Sequence, residues 1–380
     1  MLLIESMIQK IVFKILPFLT AFLFAANFIF RGSIYVILGF CFILPYFIRY
    51  SSQITKNKSI FVFVIMVVLG SILNLFVTQN GIGGTINFIA CVGIALYCVN
   101  NFKPSGFLVV LICIYLMYFV YKAIFIDLID TNLIFENIGL SRNYPGFMLV
   151  IFISYWGFVK YKCYQSYPFF LPVCALLLCF LLEGRASLGI MLGICVLTIY
   201  YHGKKYTLWF LLVIIVALLH YWQNILEFMS FTRFASAGME TSRSVIWKAY
   251  FDALDLPSLF FGLDTLSVPM LKSYGGNPHN AFLNFHSRMG LLGLLALAVL
   301  IIKSINAMLK NREYVLVFYL VLLLGRFYFD ACIGGPTDYL FYTMLFYPMI
   351  RKKQYQVDNK MSVCKKPLFS NIYTKLIKLI

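Results

Sequence analysis

Charge is scarce in this chain. Asp, Glu, Lys and Arg make up 12% of its 380 residues, about half of the ~25% usual in soluble domains. The shortage falls hardest on acids, with 14 Asp and Glu against 31 Lys and Arg. No glycine-rich loop ending in Lys-Ser/Thr occurs, so no ATP site is visible. Neither an Asp-x-Asp pair nor a His-Glu-x-x-His helix offers a metal site, and no cofactor is expected. The ten cysteines are scattered and contain no Cys-x-x-Cys, which indicates neither a disulfide framework nor zinc. Carboxylates of the kind used as proton relays are missing from the middle of the apolar segments, and this argues against a proton-coupled transporter. The alternating ten-residue segments of an outer-membrane barrel are not seen either.

What is abundant is apolar sequence. Hydrophobic residues make up 62% of the chain and the mean hydropathy is +0.88. The apolar runs are long enough to cross a ~30 Å hydrocarbon core. They predict an all-α, polytopic membrane bundle of about twelve spans, at 11–30, 32–48, 60–78, 82–99, 105–124, 146–159, 167–182, 187–201, 206–222, 281–302, 314–329 and 335–350. Residues 1–380 read as one integral membrane domain, and the first apolar run reads as a retained helix because no small-x-small cleavage site follows it. With the N-terminus in the cytoplasm, 21 of the 31 Lys and Arg fall on the inner side and 11 of the 14 acids on the outer. This positive-inside bias puts both termini in the cytoplasm, including a basic tail over 351–380. The net charge of +17 therefore reports topology, and no nucleic-acid partner is expected.

Two long polar connections face outward in this topology, at 125–145 and 223–280. The second is the larger and has internal structure. Val245, Ile246, Ala249, Tyr250, Ala253 and Leu254 follow Thr241-Ser242-Arg243-Ser244 at helical spacing, so a capped amphipathic helix is expected, ended by Pro257. Such a helix lies on the outer membrane face or caps a cavity. Gly275-Gly276-Asn277-Pro278 then turns the chain into His279 and Asn280 at the mouth of the tenth span.

Candidate site residues gather on this outer side. His279 is a candidate general base because imidazole titrates near neutral pH; its plainer account is a helix-start histidine bonded to nearby backbone. His286 lies seven residues on and returns to nearly the same face of a regular helix, while Arg288 points roughly opposite. Gly290 and Gly293 suit close helix packing. Arg142, Arg185, Arg233 and Arg243 lie in outward loops and turns, with Arg288 and Arg326 deeper in spans ten and eleven. Guanidinium groups hold phosphate oxygens bidentately and stay charged when desolvated. Each one alone is equally well explained by snorkelling, or by pairing with Glu183, Asp330 or Asp338.

Taken in order, these residues resemble the O-antigen polymerase and O-antigen ligase superfamily of bacterial envelope glycan enzymes. The likeness rests on Pro278-His279-Asn280 with Gly290 and Gly293 after a large outward loop, on Ser141-Arg142-Asn143, and on Glu183-Gly184-Arg185-Ala186-Ser187. Arg243 four residues before Trp247, followed by Gly262, adds to it. It covers roughly 130–330, and the first five spans match only in hydropathy.

The resemblance implies a metal-independent glycosyltransferase of the bacterial inner membrane with its site facing the periplasm. The donor would be an undecaprenyl-diphosphate-linked oligosaccharide, and the partners membrane lipids and a chain-length regulator. It implies His279, Arg243 and Arg185 as catalytic residues. Arg142, Arg233, Asn280, His286, Arg288 and Arg326 would hold the diphosphate and glycan. A polymerase of O-antigen or capsule repeat units is favoured over a ligase to lipid A core, because Arg185 lacks the preceding Ser and following Gly of the usual turn. A flippase for the same lipid-linked sugars is the reading from a different class; it would not need His279.

Overall fold

The computed structural model describes residues 33–78, 83–130, 143–182, 184–202, 242–329 and 338–350, with a few isolated positions besides. Among these residues every regular element is a helix. In chain order they are α1 (Ser33–Lys56), α2 (Lys58–Val77), α3 (Gly83–Asn100), α4 (Phe102–Phe125), α5 (Asn143–Tyr164), α6 (Phe170–Leu181), α7 (Arg185–His202), α8 (Ser242–Asp252), α9 (Leu256–Phe261), α10 (Pro269–Lys272), α11 (Ala281–Lys310), α12 (Tyr314–Tyr328) and α13 (Asp338–Ile350). Ten of the twelve apolar segments coincide with one of these helices. The segments 11–30 and 206–222, the tail over 351–380, Arg142 and Arg233 lie outside the described residues.

Among the described residues three helices, α2, α4 and α11, are long and apolar enough to cross a membrane, which supports a membrane protein. One helix is shorter than its hydropathy suggests. The 12 residues of α6 reach ~18 Å at 1.5 Å per residue. By contrast, the short apolar segment at 146–159 is the middle of the 22-residue α5.

The chain forms two compact units. One comprises residues 1–108, 246–318 and 327–365; the other comprises 109–245, 319–326 and 366–380. In the first, α13 is buried continuously from Asp338 to Pro348 and packs on α3, while α11 packs along α2. A helix apolar on every side belongs in the interior, and α13 follows that rule. In the second, α5 is the interior helix, buried from Pro145 to Lys160 and packed against α6 and α7.

The pairing of α2 with α11 is antiparallel. Ser59 meets Lys303 near one end, and Asn74 meets Ser287 near the other. Gly70 sits between, where a Cβ would overlap the Met289 carbonyl oxygen. Two sequence expectations need correction here. The helix of the large loop ends at Asp252, and Pro257 lies in the first turn of the next helix, α9, behind the capping box of Asp255 and Ser258. A proline without its N–H is tolerated at that position because the first amides of a helix have no intrahelical partner. Nor does a regular helix run on from His279. It starts at Ala281 with Asn280 as N-cap, and breaks at Gly290 (φ 64°, ψ −175°).

Candidate functional site

The break in α11 has local causes. Gly290 adopts a backbone conformation essentially reserved for glycine, and a Cβ there would overlap the carbonyl oxygen of Phe260 in α9. Such a break takes carbonyls of the preceding turn out of the helical ladder, and in an apolar setting they require other donors. Asn74 on α2 supplies one: its Nδ2 donates to Ser287 O at 2.9 Å and to Phe261 O at 2.6 Å. The side-chain amide thus ties the broken helix to α9, which packs on it.

His286 lies one turn before the break and is buried. Its Nε2 faces the Leu259 carbonyl oxygen at 2.8 Å, so that nitrogen carries the proton and donates. Nδ1 then accepts from the Tyr250 hydroxyl on α8, at 2.7 Å. Burial pushes the Tyr250 phenol well above its ordinary range, keeping it an O–H donor. Both ring nitrogens of His286 are therefore spent on linking α8, α9 and α11.

His279 is held differently. Its φ of 49° lies in the left-handed region, an uncommon place for a residue with a side chain. Leu128, Gln165 and Arg312 share that region, but each follows the end of a helix, where a left-handed residue is a usual terminator. His279 precedes one. Its backbone N–H donates to Asn277 Oδ1 at 2.8 Å. The carbonyl before it, Pro278 O, accepts from Trp247 Nε1 at 3.0 Å. Its ring and that of Tyr274 meet nearly at right angles, with centroids 5.7 Å apart. The imidazole remains half-buried. Asn280, next in line, uses its Oδ1 to cap α11 through the amides of Phe282 and Leu283. The Pro-His-Asn sequence is thus a constrained turn that sets one imidazole at the head of a broken helix.

Arg288 is half-buried on the same short helical segment, within electrostatic reach of the buried carboxylate of Asp338 at the start of α13. His279, Asn280, His286, Arg288 and Asp338 all belong to the first unit. Arg185, Arg243 and Arg326 belong to the second. Arg185 is exposed as the first residue of α7. Arg243 is half-buried in the first turn of α8. Arg326 is buried: its Nε donates to Ser187 Oγ at 3.2 Å, and its guanidinium carbon stands 5.1 Å from the Phe147 ring centroid. The turn containing Arg185 and Ser187 and the arginine of α12 are therefore joined in space.

Asn74, Tyr250 as a hydrogen-bonding group, and Tyr274 carry little functional signal in the sequence. Asn74 is a polar residue inside a very apolar span, and that was its only visible signal. Comparison with protein-family models and with curated proteins gives no match for this chain.

Proposed function

We propose that this membrane protein is a polysaccharide repeat-unit polymerase of the bacterial inner membrane. On this reading the bundle has about twelve spans, both termini are cytoplasmic, and the site faces the periplasm. The donor is an oligosaccharide on undecaprenyl diphosphate, and the acceptor is another lipid-linked repeat unit. The observation that carries the reading is His279: a half-buried imidazole in a left-handed turn at the head of a broken helix. Backbone strain that neighbouring contacts sustain is characteristic of functional positions.

In the reaction, the acceptor hydroxyl oxygen attacks the anomeric carbon and a new glycosidic C–O bond forms. The bond from that carbon to the diphosphate oxygen breaks, and undecaprenyl diphosphate leaves with the electron pair. His279 takes the hydroxyl proton. The resemblance assigns stabilisation of the charge that develops on the diphosphate to the guanidinium groups of Arg185 and Arg243. The resemblance also gives Arg142, Arg233 and Arg288 contacts to glycan and phosphate oxygens, whereas Arg326 is buried against Ser187 and Phe147. Asn280 and His286 contribute by shaping the turn and the broken helix, since their side-chain atoms already bond the protein.

The test is the surface glycan of a deletion strain together with its lipid-linked intermediates. A core bearing a single repeat unit supports the polymerase. Bare core with long polymer stranded on undecaprenyl diphosphate identifies a ligase, and an unchanged ladder removes both. His279→Ala is expected to reproduce the deletion, with the lipid-linked unit still reaching the outer face. Loss of that unit from the outer face would favour a flippase.

A further inference from the structure

The opposite end of the α2–α11 pair carries a second feature, in which the site above has no part. A groove of about 360 Å³ runs between the two helices. Lys58, Ser59 and Lys303 line one end, and Val62, Leu295 and Val299 line its length. The three apolar residues are 41%, 53% and 50% exposed. Lys58 and Lys303 are both exposed, and Lys303 Nζ donates to Ser59 Oγ at 3.0 Å, which draws the ammonium across the groove mouth. No Asp or Glu is among the residues that line it.

The dimensions fit one leaflet. From Lys58 to Met66 on α2, and from Lys303 to Leu292 on α11, the groove extends roughly 12–17 Å at 1.5 Å per residue. Half of a ~30 Å hydrocarbon core is about 15 Å. A slot one leaflet deep, apolar along its length and doubly cationic at its mouth, is complementary to an anionic amphiphile. The Ser59 and Ile60 amides of α2 are not available to a headgroup, because Asn57 Oδ1 already accepts from both. Recognition therefore falls to the two ammonium groups and the Ser59 hydroxyl.

We infer that this groove binds an anionic glycerophospholipid, its phosphate bridging Lys58 and Lys303 and an acyl chain lying along Val62, Leu295 and Val299. Basic pockets between spanning helices are the usual setting for such headgroups. The inference rests on the membrane reading of α2 and α11 but not on the glycan chemistry.

The test is native mass spectrometry of the detergent-solubilised full chain, titrated with phosphatidylglycerol, phosphatidylethanolamine or a polyprenyl phosphate. Wild type is expected to prefer phosphatidylglycerol. The double variant Lys58→Gln/Lys303→Gln is expected to bind it about tenfold more weakly, while Lys103→Gln/Lys162→Gln binds as wild type does. Val299→Trp, which fills the slot and leaves both lysines in place, is expected to lose the lipid as well. Equal binding by wild type and the Lys58/Lys303 variant would overturn the inference. So would stronger binding of polyprenyl phosphate than of phosphatidylglycerol, which would assign the groove to a carrier lipid.

Discussion

At the residue scale, His286 has a structural duty, with a protein partner on each nitrogen, and His279 sits in a turn held by bonds to backbone and neighbouring side chains. Tyr250→Phe tests that duty. It removes the hydroxyl whose single proton is shared between His286 Nδ1 at 2.7 Å and Leu283 O at 3.2 Å. Leaving buried polar atoms unpaired costs about 1–3 kcal/mol. A lowered melting temperature of the purified protein is the expected result. In combination with His286→Leu the losses should be less than additive, because the orphaned nitrogen is then gone as well. Strict additivity would mean that the two side chains are not coupled.

At the element scale, the broken helix and the short α9 depend on each other. Gly290→Ala places a Cβ against Phe260 O and forces alanine into a glycine-only conformation. The expected cost is about 3 kcal/mol or more, read as loss of folded, monodisperse protein in detergent. Normal folded yield would mean that α11 can run straight through this point. The start of α9 predicts a pH effect. Bonds from the Ser258 hydroxyl and from its backbone N–H hold the Asp255 carboxyl below its ordinary value. A depressed carboxyl contributes stability above its unfolded pKa of ~3.9, and that contribution is lost as pH falls through the folded value. The hydrogen-exchange protection factor of the Leu259 amide, which donates to Asp255 O, should therefore fall in acid. In Asp255→Asn the acid dependence should vanish; its persistence would place the titrating group elsewhere.

At the scale of the whole molecule, the antiparallel pair α2–α11 separates two chemistries. Asn74 and the helix break lie toward one end, and Lys58 and Lys303 lie at the other. In the proposed topology the first end faces outward and the lysine end inward. In a cysteine-free background, Ser273→Cys between α10 and α11 should react with a membrane-impermeant maleimide on intact spheroplasts. Asn311→Cys, between α11 and α12, should react only after lysis. The reverse pattern would invert the topology and move the His279 site to the cytoplasm.

The helical class was determined by the sequence alone, because apolar runs in lipid must satisfy their backbone groups within themselves. So were the positions of ten helices, the helix of the large loop, and the turn at Pro278-His279-Asn280, each specified by neighbours in the chain. Only the tertiary structure decided the break at Gly290, since its cause is the carbonyl of Phe260 from another helix and its compensation is the amide of Asn74 from a third. The same holds for the bonds that occupy His286, for Arg326 against Ser187 and Phe147, and for the lysine-capped groove. Each brings together residues more than twenty positions apart, and hydropathy carries no information about which faces of two helices will meet.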